Sequence, residues 1–295
     1  MISLNRNQVK NYTGKKIDKN DRFVYESRLA QPYFKKEGKR CFLDQLLNGS
    51  GNELKDKFWS QISSSRLAFD IYSWLADDDS CIDIQLEYKM PGIISKGREC
   101  KANMDVMIET TDGIWFIESK FTEIANNREY ETSLPEAYWK DYEKDGHQNC
   151  YKKADGKGYV YDCPILNRFP SQKMADKFKE FCEEISKESK KAGVDWFDAK
   201  QETCHLFGIL KFMLAKDSGK TVHFANIVYH FENEKESDFS KKFREKAMEM
   251  SKKVTGKELD YRIAYVQDVI EKYGERKAFR SDKTVKELFD TYPNK

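Results

Sequence analysis

The chain has 295 residues, 52 Lys and Arg against 50 Asp and Glu, with 39% hydrophobic and 14% aromatic residues; this excludes a disordered chain and suits one decorated α/β domain with a sizeable core. No apolar run approaches the ~20 residues of a membrane span, and Met1-Ile2-Ser3-Leu4-Asn5-Arg6 lacks the apolar core of a secretory signal. The seven cysteines are scattered, with no Cys-x-x-Cys, so a cytoplasmic protein with reduced thiols and no membrane partner is expected.

Charge is uneven along the chain. Residues 1–50 hold eleven Lys/Arg against five Asp/Glu, a net +6, which leaves the remainder at −4. Tyr12, Phe23, Tyr25, Tyr33 and Phe34 are interleaved with these cations, a composition that suits a phosphate backbone and equally a solvated lysine-rich surface. Residues 1–49 are read as a basic N-terminal extension packed on the core. Asn48-Gly49-Ser50-Gly51 marks a break.

From about 52 to 76, Leu54, Phe58, Ile62, Phe69 and Tyr72 recur at three- and four-residue intervals and predict a helix ended by Asp77-Asp78-Asp79. Residues 82–89 alternate and predict a strand. Residues 103–110 and 114–121 flank Thr111-Asp112-Gly113 and predict a hairpin, Asp-Gly being a strong turn signal. An irregular insertion is expected around 124–170. Residues 172–191 and 198–216 predict helices, and 221–231 a strand. The core is thus placed at 50–231 and a charged helical extension at 232–295. The predicted fold class is α/β, a central mixed β-sheet of at least four strands flanked by helices.

The chemistry is concentrated in the hairpin. Glu118 and Lys120 stand in an otherwise apolar strand and point to one face. With Asp112-Gly113 as the loop residues, Met107 faces Glu118, Asp105 faces Lys120, and Asp105 lies diagonally across from Glu118. Any even loop length keeps Asp105, Glu118 and Lys120 on one face. Two carboxylates and an ammonium are costly to bury without a role. Carboxylate oxygens suit Mg²⁺, with Mn²⁺ as a substitute, and the Ser119 carbonyl is a further candidate ligand. Lys120 is placed to orient or deprotonate a water and to offset negative charge. The plainer alternative is a cross-strand Asp105–Lys120 ion pair, worth about 0–1 kcal/mol, with Glu118 solvated.

Asp105 followed by a hairpin and Glu118-Ser119-Lys120 resembles the PD-(D/E)XK nuclease motif. The wider run Asn103-Met104-Asp105-Val106 with Phe116-Ile117-Glu118-Ser119-Lys120-Phe121-Thr122-Glu123 is similar to a poorly characterised bacterial group of that superfamily, where an aromatic, Thr and Glu often follow the lysine. Met104 stands where the motif has Pro. The resemblance covers roughly residues 50–231 and implies a restriction-endonuclease-like core and a Mg²⁺-dependent endonuclease acting on DNA, with a restriction or defence role. It assigns Asp105 and Glu118 to metal and Lys120 to the attacking water. It implies that Glu53 at the first helix reaches the metal, although Ser50-Gly51-Asn52-Glu53 also fits a capping box. It further implies that Gln201 and His205, four apart on one helix face, contact substrate or order the site. A Gln at a helix start and a core-lining His are the structural alternatives. Glu87 is a further ligand candidate or a strand-end charge.

His147, Cys150 and Cys163 lack the paired spacing of a zinc site. No phosphate-binding Gly-Lys-Ser/Thr loop and no Gly-x-Ser-x-Gly elbow occur. Two rivals share the predicted fold: a catalytically silent module binding nucleic acid or a partner, and an RNA-directed nuclease. Cutting both strands of a duplex favours a homodimer.

Overall fold

The computed structural model describes residues 19–36, 38–49, 54–55, 58–59, 63–90, 93–95, 98–100, 102–120, 130–131, 150–152, 159–161, 169–192, 194–195, 197–216, 218–229 and 237–274. Helices α1 (Lys19–Ala30), α2 (Phe42–Leu47) and α3 (Ser64–Tyr72) precede the main sheet. Its strands are β1 (Cys81–Lys89), β2 (Asn103–Thr110), β3 (Gly113–Lys120), β4 (Thr221–Val228) and β5 (Leu259–Tyr265). Helices α4 (Gln172–Ala192) and α5 (Ala199–Ala215) fall between β3 and β4, α6 (Asp238–Thr255) between β4 and β5, and α7 (Val266–Gly274) after β5.

The five strands lie in sequence order across one mixed sheet. β1, β2 and β3 form an antiparallel meander, whereas β4 runs parallel to β3 and β5 parallel to β4. Parallel neighbours require long crossovers, and helices supply them here. The sheet is buried on both sides. Ile84, Leu86, Val106, Ile108 and Ile117 pack with Leu29, Phe42, Leu46, Phe69 and Ile270, residues of α1, α2, α3 and α7. Met104, Met107, Phe116, Val222 and Phe224 pack with Phe178, Phe207, Leu210 and Phe243, residues of α4, α5 and α6. This two-sided covering explains why β3 and β4 read as nearly continuous apolar runs.

Three expectations are corrected. The helix predicted from 52 begins at Ser64, capped by the Ser63 side chain, which accepts the Arg66 N–H. Leu54 and Lys55 form a turn instead, as do Phe58 and Trp59. Phe58 and Trp59 are buried, so their spacing reported burial and not helix. The hairpin loop is Thr111-Asp112, one residue earlier than predicted, because Thr110 Oγ1 takes the Gly113 N–H at 3.1 Å and closes the turn. Met107 therefore pairs with Phe116, not with Glu118. The loop keeps an even length, so the register brings Asp105 level with Glu118, although alternation alone does not set the face of Asp105. Finally, the stretch expected to be a helical tail contributes β5 to the sheet. Leu259, Tyr261, Ile263 and Tyr265 alternate with Asp260, Arg262 and Ala264, a period of two that a charge-based reading passes over.

One irregularity shapes the site. Leu86 and its partner Val106 belong to the core under α1–α3, whereas Tyr88 and its partner Met104 belong with the opposite core. Regular alternation would put each pair on one side. The phase slips at the intervening level, Glu87 on β1 and Asp105 on β2. Glu87 absorbs the slip with a left-handed backbone, φ +52°, uncommon for a side chain of this size.

Helix α5 sits close against the sheet. The Asp198 side chain accepts the Gln201 N–H and caps it. Gly208 lets it approach: a Cβ there would lie 2.7 Å from the Cβ of Met90. Gly208→Ala gains about 1 kcal/mol of helix propensity and loses about 1–3 kcal/mol to crowding. A net destabilisation of ~1 kcal/mol is expected, read as a lower urea midpoint with unchanged slope. A midpoint at or above wild type would show that the contact does not set the α5 position.

Candidate active site

Residues 118–120 lie at the end of β3, between β4 and the point where the β2–β3 ladder stops. The ladder runs from Glu109–Ile114 to Val106–Ile117. One step further, Asp105 is level with Glu118. There the Asp105 side chain takes the Ser119 N–H, at 2.6 Å to Oδ2. A side chain thus fulfils a bond that the neighbouring strand would otherwise supply, and Asp105 is fixed beside β3.

Glu118 and Lys120 are both buried, 4% and 7% exposed. The Lys120 ammonium donates to Glu118 Oε1 at 2.7 Å and to Gln201 Oε1 at 2.6 Å. Gln201 Nε2 donates to the same Glu118 Oε1 at 2.7 Å. Each of the three groups therefore contacts the other two. The plainer alternative, an Asp105–Lys120 pair with Glu118 solvated, is not what forms: Glu118 is buried and itself pairs with Lys120. The second oxygen, Glu118 Oε2, has no hydrogen-bond partner among the described residues. A buried carboxylate oxygen left so is unusual and marks a place for an ion, a water or a substrate group.

His205 lies one turn beyond Gln201 on α5 and is fully buried, which lowers its pKa. As a neutral ring it donates from Nε2 to the Asn103 carbonyl at 3.1 Å. Glu118 Oε2 is 3.8 Å from the same nitrogen, too far for a hydrogen bond. His205 thus joins α5 to the start of β2, and Phe224 meets it edge-on.

The carboxyl of Asp105 is held well above its ordinary pKa, first by burial and then by the nearby Glu118 and Glu87. Lys120 and the Ser119 N–H oppose this. Glu87 lies opposite Asp105 at the phase slip and accepts from Ser65 Oγ at 3.2 Å and from Asn103 Nδ2 at 3.4 Å. The site thus holds more carboxylate than its lysine balances. Among the described residues no three His, Cys, Asp or Glu side chains form a metal cage. Two carboxylates completed by waters are a usual holding for Mg²⁺, and Asp105 with the unpaired Glu118 Oε2 fits that chemistry.

Of the predicted site residues, the structure brings Asp105, Glu118, Ser119, Lys120, Gln201 and His205 together. Glu53 lies outside the described residues, and so do His147 and Cys163. Sequence reasoning missed a second polar group behind Lys120. Glu202, 2% exposed, accepts from Asn226 Nδ2 at 3.1 Å and from the Tyr261 hydroxyl at 2.8 Å, both at Oε2. Asn226 is paired with Glu118 in the β3–β4 ladder. Its signal was present, a lone amide within Phe224-Ala225-Asn226-Ile227-Val228. Comparison with protein-family models, curated proteins and solved structures finds no match for the chain.

Burial pushes the Glu202 carboxyl up to about 7, against the pull of Lys120 and its two hydrogen bonds. The unfolded chain ionises at an ordinary carboxylate pKa, so folding is penalised as pH rises from there through the folded value. The penalty approaches ~3 kcal/mol above that window. Glu202→Gln removes it. The variant's melting temperature is expected to gain on wild type steadily between pH 5 and pH 8. A difference that stays constant across that range would show that Glu202 does not titrate there.

Proposed function

We propose that this protein is a metal-dependent nuclease with a restriction-endonuclease-like core, hydrolysing phosphodiester bonds of DNA. The observation that carries the reading is the meeting of Asp105, Glu118 and Lys120 at the end of β3, with one buried carboxylate oxygen without a hydrogen-bond partner among the described residues. The sheet order supports it as well, an antiparallel hairpin bearing the acids followed by parallel strands. The Asp105 and Glu118 carboxylates, with the Ser119 carbonyl, would hold Mg²⁺ or Mn²⁺. Such an ion, when bound, neutralises phosphate charge and acidifies a bound water.

The chain's own residues do the rest. Lys120 is a buried ammonium, whose charge counts for more than it would in water. It offsets the negative charge that grows on a phosphate under attack and orients the attacking water. Gln201 holds Lys120 from the α5 side and leaves one carboxylate oxygen of Glu118 outside the triangle. His205, neutral, fastens α5 to β2 and keeps the two halves of the site in register. A homodimer would supply one such site per strand of a duplex.

The test is cleavage of end-labelled single- and double-stranded DNA with Mg²⁺ or Mn²⁺, beside Lys120→Ala. Metal-dependent cutting is expected, lowered about 10²–10⁴-fold in the variant. Cutting that survives Lys120→Ala would put the site elsewhere. Mn²⁺ is also expected to raise the melting temperature of wild type and not that of Asp105→Asn. Cation binding without cleavage of DNA or RNA would mean a binding module on the same fold, and cleavage of RNA alone an RNA-directed enzyme.

A further inference from the structure

The main sheet has two edges, and the chain treats them differently. Strand β1 is closed along its outer side. The Ile82 carbonyl accepts the Lys36 N–H at 3.3 Å, the Ile84 carbonyl accepts the Tyr33 hydroxyl at 3.0 Å, and the Leu86 N–H donates to Gln45 Oε1 at 2.7 Å. Backbone groups that the β2 ladder does not use are thus satisfied within the chain. At the other edge, β5 keeps unbroken register with β4 from Leu259 to Tyr265, and no further strand joins its outer side among the described residues. A long, regular edge of this kind is a template for another strand.

A row of side chains runs across the sheet to that edge. Trp115 on β3, His223 on β4 and Asp260 on β5 are successive register partners. The Trp115 and His223 rings stack with centroids 3.8 Å apart, and His223 Nδ1 lies 2.7 Å from Asp260 Oδ2. Gly113 makes room for the imidazole, since a Cβ there would stand 2.9 Å from His223 Nε2. The row therefore ends at the edge on a carboxylate. Arg262 follows two residues later on the same face, its side chain 59% exposed, and reaches back along its own strand to Asp260 Oδ1 at 2.9 Å. An exposed pair of this kind is worth about 0–1 kcal/mol, so its groups are readily shared with a strand laid alongside.

We propose that β5 is the contact between two copies of this chain, paired antiparallel about a two-fold axis at Tyr261. In this register Asp260 faces Arg262 of the partner subunit, and Arg262 faces Asp260 of the partner subunit. The row then passes from one sheet into the next with each charge opposite its complement. On the other face, Leu259 lies opposite Ile263 of the partner subunit. A two-fold interface must be self-complementary, and the sequence of β5 meets that condition by itself, which is why the occupant is a second copy and not another protein. Registers that keep each face continuous pair residues of like parity. One such step in either direction sets Arg262 against Arg262 or Asp260 against Asp260, and like charges directly opposite are destabilising. The product is one sheet with five strands from each copy. The inference goes beyond the nuclease reading and does not depend on it.

The experiment is size-exclusion chromatography with light scattering on the full chain, without DNA or metal. Wild type is expected at twice the chain mass. Arg262→Glu and Asp260→Lys are each expected to weaken self-association at least about tenfold, because two attractive pairs become two repulsive ones. An equimolar mixture of the two variants is expected to recover the dimer, since every opposing pair is again of opposite charge. That recovery also shows that both variants are folded. A monomeric wild type would overturn the proposal and leave the edge to residues 275–295 or to a strand from another protein. Variants that stay dimeric would place the interface elsewhere. Variants that dissociate and do not recombine on mixing would overturn the register on which the inference stands.

Discussion

The site depends on one buried ammonium. Lys120 lies at the end of β3, in contact with Glu118 and Gln201, and nearly every neighbouring feature follows from holding it there. A buried charge must be paired and hydrogen-bonded, and removing one partner of such a pair costs about 3–5 kcal/mol. Glu118 supplies the pairing from the same strand. Gln201 supplies a second acceptor from α5, whose approach relies on Gly208 meeting Met90 without a Cβ. His205 anchors the same helix to β2 through the Asn103 carbonyl. Helix, hairpin and parallel strand are thereby locked around one cation.

The surrounding carboxylates make the arrangement unstable by itself. Asp105, Glu118, Glu87 and Glu202 crowd a region where the lysine offsets only part of their charge. The raised pKa of Asp105 reflects this after burial, through Glu118 and Glu87, whereas that of Glu202 is raised by burial against the pull of Lys120. Folded sites that keep like charges close do so against stability, and they bind cations or anionic-substrate complexes that relieve the repulsion. The left-handed backbone of Glu87 points the same way. Non-glycine residues held at positive φ are concentrated where the surroundings over-determine them. Glu87 stands at the phase slip that sets Asp105 beside β3.

Most of the fold was legible because its signals were local. The hairpin, α4, α5 and β4 were each written in a period of two or a period of 3.6, with turn residues between. The candidate residues were legible for a related reason: a charge inside an apolar strand is conspicuous. Three things were not legible. The stretch around Phe58 and Trp59 has helical spacing, yet both aromatics are buried from turns, and burial alone produced the pattern. The hairpin loop was misplaced by one residue, because Asp-Gly competed with a Thr110 side chain that closes the turn one step earlier. The lysine-rich composition after 232 masked β5, although Leu259, Tyr261, Ile263 and Tyr265 alternate as a strand should. With β5 passed over, Tyr261 had no place in the sheet, and so the Glu202 network had no visible partner.

The mixed topology explains why such a cluster can exist at this place and not elsewhere in the sheet. An antiparallel pair satisfies its backbone from both sides, and a parallel neighbour does the same on the other edge. At the end of β3 these two conditions separate. The β4 ladder continues through Glu118, Ser119 and Lys120 to Val228, while the β2 ladder stops at Ile117. The buried Ser119 N–H, beyond the end of the β2 ladder, is taken by Asp105, a carboxylate brought in by the phase slip on β2. Strand β3 is therefore rigid on one side and open on the other for three residues. Glu118 and Lys120, alternate residues of that open segment, point to the α5 face, where Gln201 and His205 meet them. A charged site on a strand end, packed under a helix, follows from that mismatch of ladder lengths.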